Sequence, residues 1–245
     1  MTDGTELTVI MPAFNEEANI QNSITKVMDT LDKNGIDYEI IVVDDGSIDN
    51  TKNRAMEIKD PRVKIVGYEK NVGKGYAIKF GFQYAKGKYV IFFDSDLNIL
   101  PDEIVKFLNI IKSENRDIVI GSKRLKSSVI KNYSLLRKLL SISYHLYVKA
   151  LFRINIMDTQ VGIKIFKREV LERIFEKTYI KKYAFDVEIL MLAQKLGYEI
   201  KEAPVVINVE TESHIKPKNI AAMFIDTFAI YYRLKITRDK NKRYF

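Results

Sequence analysis

Tyr89–Asp96, with the sequence Tyr-Val-Ile-Phe-Phe-Asp-Ser-Asp, is the stretch that decides the fold. Its first five residues are apolar throughout, which is typical of a strand buried on both faces of a sheet. Two carboxylates separated by one residue follow directly. The same order recurs where the apolar run Tyr38–Val43 is followed by Asp44 and Asp45. In a parallel sheet the strand ends share the edge where ligands bind, so these acids are predicted to lie there.

Apolar runs alternate with segments of helical length along most of the chain. The predicted strands are Leu7–Met11, Tyr38–Val43, Val63–Val66, Tyr89–Phe93, Ile118–Ile120, Gly162–Phe166 and Val205–Val209. The predicted helices cover 16–33, about 50–58, Gly73–Ala85, a segment starting near Pro101, Ser134–Arg153, about 183–196 and about 218–235. This alternation predicts an α/β fold with a mostly parallel central sheet flanked by helices.

The composition excludes several classes of protein. With 245 residues and 47% hydrophobic residues, the chain fits one large folded domain, with or without a small extension. The absence of cysteine excludes disulfides, thiolate catalysis and cysteine-zinc sites, and the two histidines lie far apart. No uncharged apolar stretch approaches the roughly 20 residues that span a bilayer. With no signal peptide visible at Met1, a cytoplasmic location is expected.

The charge is divided unevenly along the chain. Residues 1–120 hold 15 basic and 20 acidic residues, whereas residues 121–157 hold 8 basic and no acidic residues. This asymmetry suggests two tasks: carboxylates that hold a cation, and basic groups that meet phosphates. Those phosphates could belong to a nucleic acid, a membrane or a lipid head group.

Two apolar helices carry basic residues. In the predicted helix Ser134–Arg153 the polar residues recur every three or four positions, so they form one stripe beside a wide apolar arc. The pattern fits a helix in a membrane interface, and equally a core helix with a solvated stripe. The helix at 218–235 precedes a basic tail, which fits an anionic membrane surface or a docked terminal helix with a frayed end.

Asp94 and Asp96 are the sharpest candidate site. Two carboxylates this close, after a buried strand, favour a shared hard cation such as Mg²⁺ or Mn²⁺. Many Asp-x-Asp pairs are solvated turns, so the position after Tyr89–Phe93 carries the argument. At the other acidic strand end, Asp45 or Ser47 could cap a helix, or an aspartate could contact a nucleotide.

A glycine-rich segment, Asn71–Gly75, precedes a predicted helix. It lacks the spacing of a P-loop and the Ser or Thr that follows the lysine there. The remaining interpretation is a loop that places Lys74 near a diphosphate.

A basic cluster lies in the middle of the chain. An aliphatic neighbouring surface and an acidic first half argue against a nucleic acid, since no stacking platform is present. A lipid phosphate accounts for both the charges and the apolar surface. The cluster consists of Lys123, Arg124, Lys126, Lys131, Arg137 and Lys138.

Taken together, the motifs resemble family 2 glycosyltransferases of the GT-A fold, in the dolichyl-phosphate sugar synthase branch. The residues that carry the resemblance are Val9–Glu17, Ile41–Thr51, Asn71–Gly75, Asp94–Leu97, Asp158–Phe166 and Tyr183–Leu190. The last two segments are similar to dolichyl-phosphate β-glucosyltransferases, and the likeness spans roughly residues 7–216. It implies a catalytic domain over 1–216, with 121–157 as its acceptor segment, followed by a helix and basic tail over 217–245.

The resemblance implies a role for particular residues on the donor side. Nucleotide-sugar binding is expected from Pro12, Ala13, Glu16, Asp44, Lys74, Asp94 and Ser95, with Asp44 at the base and Asp94 by the ribose and sugar. The metal ligands implied are Asp94, Asp96 and Asn98, where Asn98 stands in place of a glutamine in mannose-synthase relatives.

On the acceptor side the resemblance implies a phosphate site at Lys123, Arg124, Arg137 and Ser141. Lys123 replaces an arginine of the relatives and would bind phosphate as a point charge without the bidentate fork. Asp158, Gln160 and Asp186 are reserve candidates, with structural roles favoured for the two aspartates. The segment Ser213–Lys216 departs from a Gly-Ser-Lys of the glucosyltransferases, which leaves the donor sugar open.

The implied reaction is a metal-dependent, inverting transfer of a sugar to dolichyl or polyprenyl phosphate. UDP-glucose or a related UDP-sugar is favoured as donor, and GDP-mannose is an alternative. The enzyme is expected to lie peripherally on the cytoplasmic face of a membrane and to have no nucleic-acid partner. Its oligomeric state is left undecided. The alternatives are a transferase with a sugar or glycan acceptor, and a nucleotide-sugar or nucleic-acid binding module without catalysis.

Overall fold

The computed structural model of the chain describes residues 4–179, 182, 184–209 and 217–236. The strands are β1 Leu7–Ala13, β2 Tyr38–Asp45, β3 Val63–Tyr68, β4 Tyr89–Phe92, β5 Ile118–Ser122, β6 Val129–Lys131, β7 Lys164–Lys167, β8 Ile200–Pro204 and β9 Val206–Asn208. The helices are α1 Ile20–Lys33, α2 Thr51–Met56, α3 Lys74–Phe82, α4 Asp102–Ser113, α5 Leu135–Phe152, α6 Arg168–Phe175, α7 Phe185–Lys195 and α8 Pro217–Tyr231. A π-helical segment, Tyr232–Ile236, continues α8.

The central sheet has seven strands in the order β3-β2-β1-β4-β7-β5-β8. All neighbouring strands pair in parallel except at β7, which is antiparallel to both β4 and β5. The register runs from Leu7 opposite Tyr38 to Ala13 opposite Asp44 between the first two strands. A second, two-stranded sheet pairs β6 with β9. The predicted α/β class with a mostly parallel sheet is confirmed.

Two layers of helices cover the faces of the sheet, because the inner strands are apolar on both sides. One core holds Ile10 and Val43 from the sheet with residues of α3 and α5–α8. The other holds Val9 and Val42 with residues of α1, α2 and α4. Alternate residues of each strand therefore enter opposite cores, as the two-residue period of a strand requires.

The sequence predicted most elements, but three were missed: β6, β8 and α6. The predicted strand Gly162–Phe166 begins two residues later, at Lys164, and it runs antiparallel. The residues from 210 to 216, including the Ser213–Lys216 departure, and the basic tail from 237 onward lie outside the described residues.

The helix predicted at Ser134–Arg153 has three distinct faces. Tyr144, Val148 and Phe152 are buried against the domain. The polar stripe lies beside them. A third face is apolar and exposed; we call it the apolar ridge, and it consists of Leu135, Leu136, Leu139, Ile142 and Leu146, with Leu135 79% exposed.

α8 packs on α5 through aromatic contacts. The Phe224 ring lies 5.4 Å from the Tyr144 ring, and the Tyr144 hydroxyl is 2.7 Å from the Thr227 hydroxyl. The outward side of α8 leaves Ile225 and Phe228 exposed. The sequence left two interpretations of each helix open: packing on the core, or lying in a membrane interface. Both helices pack on the core, and both also present apolar residues to solvent.

Glu188 of α7 is a buried charge, with 0% side-chain exposure. It pairs with Arg233 of the π-helical segment and accepts the Tyr179 backbone N–H at 3.0 Å. The Arg233 guanidinium also lies over the Tyr179 ring, 4.6 Å from its centre. These contacts fasten the C-terminal helix to α7.

Replacing Arg233 by methionine is expected to lower the free energy of unfolding by about 3 kcal/mol, because a buried carboxylate loses its counter-charge. Chemical denaturation measures the change. Adding Glu188→Gln to Arg233→Met should recover part of the loss, and Lys235→Met, on the same turn, should change stability little. An equal loss of unfolding free energy in Lys235→Met would contradict the stabilising role assigned to the Glu188–Arg233 pair.

Candidate active site

The candidate residues gather at one edge of the sheet because of the strand directions. β1, β2, β4 and β5 are parallel, so their C-terminal ends lie on the same edge. The antiparallel β7 begins at that edge, between β4 and β5. The order along the edge is therefore Asp44, Ala13, Asp94, the entry to β7, and Lys123. Two strand spacings, roughly 10 Å, separate the ends of β4 and β5.

Asp94 and Asp96 follow β4 directly, as predicted. Asp94 Oδ1 pairs with Lys74 Nζ at 2.5 Å. Within the described residues no lysine or arginine pairs with Asp96. Burial raises the pKa of Asp96, and the nearby charge of Asp94 raises it further. The edge therefore carries negative charge in excess of its local cations.

Lys74 stays charged beside these acids. Burial opposes the charge, but Asp94 and Asp186 outweigh it and hold the pKa of Lys74 above its usual range. Gly73 is the N-cap residue of α3, and Lys74 is the first residue of that helix. The structure therefore places Lys74 beside Asp94, and its expected position near a diphosphate stays a prediction.

The backbone around the carboxylates is tightly constrained. A Cβ atom at Gly162 would lie 2.1 Å from Asp94 Oδ2, so only glycine allows this approach. Leu97 has a φ of 54°, in the left-handed region that costs energy for a leucine. Gly162 thus leaves room for the Asp94 carboxylate, and the left-handed turn at Leu97 follows Asp96 directly.

The donor set fits a divalent cation. Two crowded carboxylates, one with a raised pKa, are relieved by a shared hard cation, and Mg²⁺ or Mn²⁺ takes such oxygen ligands. Asn98 lies beside them, but its Nδ2 donates to Asp96 Oδ2, so coordination by Asn98 requires its amide to turn. No group of three or more His, Cys, Asp or Glu suited to a metal occurs in the part of the chain that the structure describes.

The remaining donor-side candidates line the same edge. Pro12 and Ala13 end β1, and the Ser95 hydroxyl donates to the Pro12 carbonyl at 3.2 Å. Asp44 is buried and accepts the Ser47 N–H at 3.1 Å. Burial raises the pKa of Glu16, against a hydrogen bond from Asn19, and the charges of Asp96, Asp49 and Asp94 add to the rise.

Asp45 has a structural role that sequence reasoning missed. Its carboxylate accepts the backbone N–H groups of Val72 and Gly73, and the Tyr68 hydroxyl at 2.7 Å. One interpretation predicted that Asp45 or Ser47 caps α2. That prediction is wrong, because Asn50 is the N-cap residue of this helix. Asp45 instead holds the loop that presents Lys74.

A basic cavity of about 940 Å³ lies beyond the end of β5. It brings together three of the four predicted acceptor residues, Lys123, Arg124 and Ser141. Arg124 Nη2 donates to the Ser141 carbonyl at 2.9 Å. Arg137 lies in the first turn of α5, whose N-cap is Ser134, and Tyr133 donates to its carbonyl at 3.4 Å. The remaining lining residues are Ser128, Ile130, Asn132, Tyr133, Ser134, Lys138 and Ile142.

The small sheet connects the acidic edge to this cavity. The Asn208 N–H donates to the Asn98 carbonyl at 2.8 Å, and Asn132 donates to the Asn208 side chain at 3.0 Å. Asn132 lines the cavity. A chain of two hydrogen bonds thus joins the loop after Asp96 to the wall of the basic cavity.

Two of the reserve candidates are held in place by hydrogen bonds and ion pairs. Asp158 accepts the Lys123 N–H at 3.1 Å and the Gln160 N–H at 3.0 Å, which supports the structural role favoured for it. Asp186 lies in the first turn of α7 and pairs with Lys164 at 2.7 Å. Lys164 is only 1% exposed, and no pattern in the sequence singled it out.

The chain belongs to glycosyl transferase family 2. Residues 8–175 match the family model of that description. A dolichyl-phosphate beta-glucosyltransferase of Trichomonas vaginalis is 31% identical over 249 residues, covering 96% of this chain and 74% of that protein. One from Dictyostelium discoideum is 35% identical over 221 residues, covering 83% of this chain and 66% of that protein. The family predicted from the motifs is confirmed, and the chain is a glycosyltransferase.

Solved structures show the same fold. Glucosyl-3-phosphoglycerate synthase from Mycobacterium tuberculosis, in complex with Mn²⁺, UDP-glucose and phosphoglyceric acid, aligns with a TM-score of 0.72 at 22% identity. The alignment covers 94% of this chain and 79% of that chain. At this identity the likeness establishes the GT-A fold. No helix among the described residues has the length and apolar character to cross a bilayer.

The raised pKa of Asp96 predicts how metal-free stability depends on pH. The folded state holds the Asp96 proton more tightly than the unfolded state, so ionisation of Asp96 destabilises the fold. This cost is absent below the ordinary value of 3.8 and grows as pH rises through the folded pKa. Asp96→Asn should therefore raise the melting temperature at pH 7 in chelator, with the gain shrinking toward pH 4.

Asp49→Asn provides a control of opposite sign. Burial opposes its charge, but hydrogen bonds from Thr51 hold the pKa of Asp49 below its usual value. Its removal should lower the melting temperature at pH 7. A pH-independent effect of Asp96→Asn would contradict the charge excess at the edge.

Proposed function

We propose that this glycosyltransferase moves a hexosyl group from a nucleotide sugar, with UDP-glucose favoured, to dolichyl or polyprenyl phosphate. The observation that carries the proposal is the basic cavity beside the carboxylate edge, bordered by the apolar ridge of α5. The names of the curated relatives, dolichyl-phosphate beta-glucosyltransferases, support the same donor sugar and acceptor.

The donor side consists of the carboxylates and the lysine at the sheet edge. Asp94 and Asp96 would hold a divalent cation, with the donor diphosphate supplying further ligands. When bound, the cation would neutralise charge that develops on the leaving diphosphate. Lys74 adds a fixed positive charge at the same place, because Asp94 and Asp186 keep it protonated. Mn²⁺ in the solved structures of the same fold supports a metal here.

The acceptor side is basic where the phosphate binds and apolar where a lipid tail would lie. Lys123, Arg124 and Lys138 line the cavity. Ile142 lies both in the cavity wall and on the apolar ridge, so the two surfaces are continuous. A phosphate held by the basic groups can therefore extend its polyprenyl chain along α5.

The reaction needs no strong general base. A phosphate monoester, with a second pKa of about 6, is largely dianionic at neutral pH and attacks through its own oxygen. Lys123 and Arg124, and Arg137 at the start of α5, would orient that oxygen toward the anomeric carbon. A single displacement inverts the configuration at this carbon. Asp158 is not required as a base, since it is occupied by two backbone N–H groups.

A transfer assay tests the proposal. Purified protein with a short polyprenyl phosphate should use UDP-glucose in preference to a UDP-N-acetylhexosamine or GDP-mannose, and chelator should stop turnover until Mg²⁺ or Mn²⁺ is restored. In this assay Lys123→Met should raise the KM for the lipid phosphate about 10- to 100-fold, because a charge-assisted hydrogen bond is lost. The donor KM should stay nearly constant.

Lys26→Met, on the exposed side of α1, is the matched control and should leave both constants unchanged. Lys123→Arg keeps the positive charge and should retain most of the affinity for the lipid phosphate. This result would show that the loss in Lys123→Met comes from the missing charge. Transfer to phosphoglycerate or a glycan, but not to polyprenyl phosphate, would reject the proposed acceptor.

We also propose that the apolar ridge and the outward side of α8 rest on a membrane surface. Leu139 and Leu146 on α5, and Ile225 and Phe228 on α8, are exposed apolar side chains on packed helices. Residues at positions i, i+4, i+7 and i+11 lie on one stripe of a helix. This is the spacing of Leu135, Leu139, Ile142 and Leu146. Such a stripe, beside basic residues, suits the interface of an anionic bilayer.

Replacing both Leu139 and Leu146 by glutamine should weaken binding to anionic vesicles several-fold, since apolar area leaves the bilayer. Vesicle sedimentation measures the binding. Met56→Gln is the control, because Met56 is also an exposed apolar residue but lies on α2, away from α5 and α8 in the sequence. This variant should bind vesicles as the parent does. Unchanged binding of the double variant would remove the ridge from the proposal.

A further inference from the structure

Three buried polar atoms without hydrogen-bond partners belong to two segments that Asp158 joins through hydrogen bonds. In the part of the chain that the structure describes, four buried side-chain N or O atoms lack a hydrogen-bond partner: Tyr38 Oη, Ser122 Oγ, Arg124 Nε and Gln160 Nε2. Ser122 and Arg124 flank Lys123, whose N–H donates to Asp158, and Gln160 donates its own N–H to the other Asp158 oxygen. A buried donor or acceptor without a partner is unfavourable, so three of them on two joined segments point to a ligand.

Gln160 stands apart from the other two because of its place on the sheet edge. Arg124 lines the basic cavity. Gln160 belongs to the segment that enters β7, the strand between β4 and β5. One end of this segment, Asp158, contacts Lys123, and the other end, Gly162, abuts the Asp94 carboxylate. Gln160 therefore lies between the carboxylate edge and the acceptor cavity.

The segment that carries Gln160 is held firmly from both sides. Glu202 accepts the N–H groups of Met157 at 2.9 Å and Asp158 at 3.0 Å. Beyond Gln160, the buried Lys164 donates to the Val161 carbonyl at 2.6 Å. The backbone of Gln160 is thus fixed without help from its side chain, whose Nε2 donor has no partner within the described residues.

We propose that the Gln160 amide hydrogen-bonds a hydroxyl of the transferred hexosyl group and helps to select the donor sugar. The inference rests on the proposed function. Displacement in line places the hexosyl group between the departing diphosphate at Asp94 and the attacking phosphate at Lys123, which is the interval that Gln160 occupies. A neutral amide donates and accepts, as a hydroxyl does, whereas the phosphates at either side are matched by charged groups.

The test is Gln160→Met, which keeps the length of the side chain and removes its polar atoms. It should weaken binding of the nucleotide hexose, and lower kcat/KM with it, about 10- to 100-fold while leaving the Kd of UDP unchanged, because UDP carries no hexose. The melting temperature of the ligand-free variant should equal or exceed that of the parent, because an unpartnered buried amide is replaced by an apolar group.

A series of deoxy-hexose UDP donors identifies the hydroxyl. One deoxy donor should bind the parent enzyme more weakly than UDP-glucose does, yet should lose no further affinity with Gln160→Met, since the two changes remove the same contact. Gln194→Met, on α7, is the control and should behave as the parent does. The same cycle measures donor binding alone, so it needs no acceptor.

Three results would overturn the inference. Losses from every deoxy donor that multiply with the loss from Gln160→Met would show that no hydroxyl meets this amide. A lower melting temperature together with weaker UDP binding would make Gln160 a structural residue. Failure of the parent enzyme with UDP-glucose, a UDP-N-acetylhexosamine and GDP-mannose would instead reject the proposed function, and this inference with it.

Discussion

The crowding of Asp94 and Asp96 at the end of β4 is the constraint on which the rest of the site depends. Two carboxylates so close are unfavourable in a partly buried place unless cations compensate them. Lys74 pairs with Asp94, whereas burial, and then the charge of Asp94, raises the pKa of Asp96. Gly162 leaves room for the Asp94 carboxylate, and Leu97, directly after Asp96, has a left-handed backbone conformation. A cation, or a diphosphate that carries one, is therefore the natural complement of this edge.

The second half of the site follows from the topology of the sheet. Inserting the antiparallel β7 between β4 and β5 sets the basic residues after β5 two strands away from the acids. The intervening distance suits a sugar, and the small sheet joins the two sides through Asn208. The carboxylates after β4 and the basic residues after β5 are thus held apart by β7, so the two groups do not neutralise each other. Under the proposed function, the donor and acceptor phosphates would each meet positive charge, while the proposed metal side would stay acidic.

Much of this was predictable from sequence, since apolar runs followed by acids reveal buried strands and the edge at which they end. The spacing of polar residues in α5 also predicted the helix and its polar stripe. It did not predict the three faces, because such a pattern does not say which apolar side packs on the core. β8, Ile200–Pro204, was missed because its sequence is mixed and its position is at the sheet border. The pairing of Lys164 with Asp186, and the loop that Asp45 holds, depend on contacts between distant segments. No local pattern encodes them.

The most direct measurement of the central claim is the ³¹P relaxation of a short polyprenyl phosphate bound to the enzyme with UDP and Mn²⁺. The account predicts that Mn²⁺ shortens the relaxation time of the acceptor phosphorus, because the cation at Asp94 and Asp96 and the phosphate at Lys123 share one cleft. The effect should disappear in Asp96→Ala. A bound acceptor whose phosphorus does not sense Mn²⁺, while the UDP phosphorus does, would contradict the account.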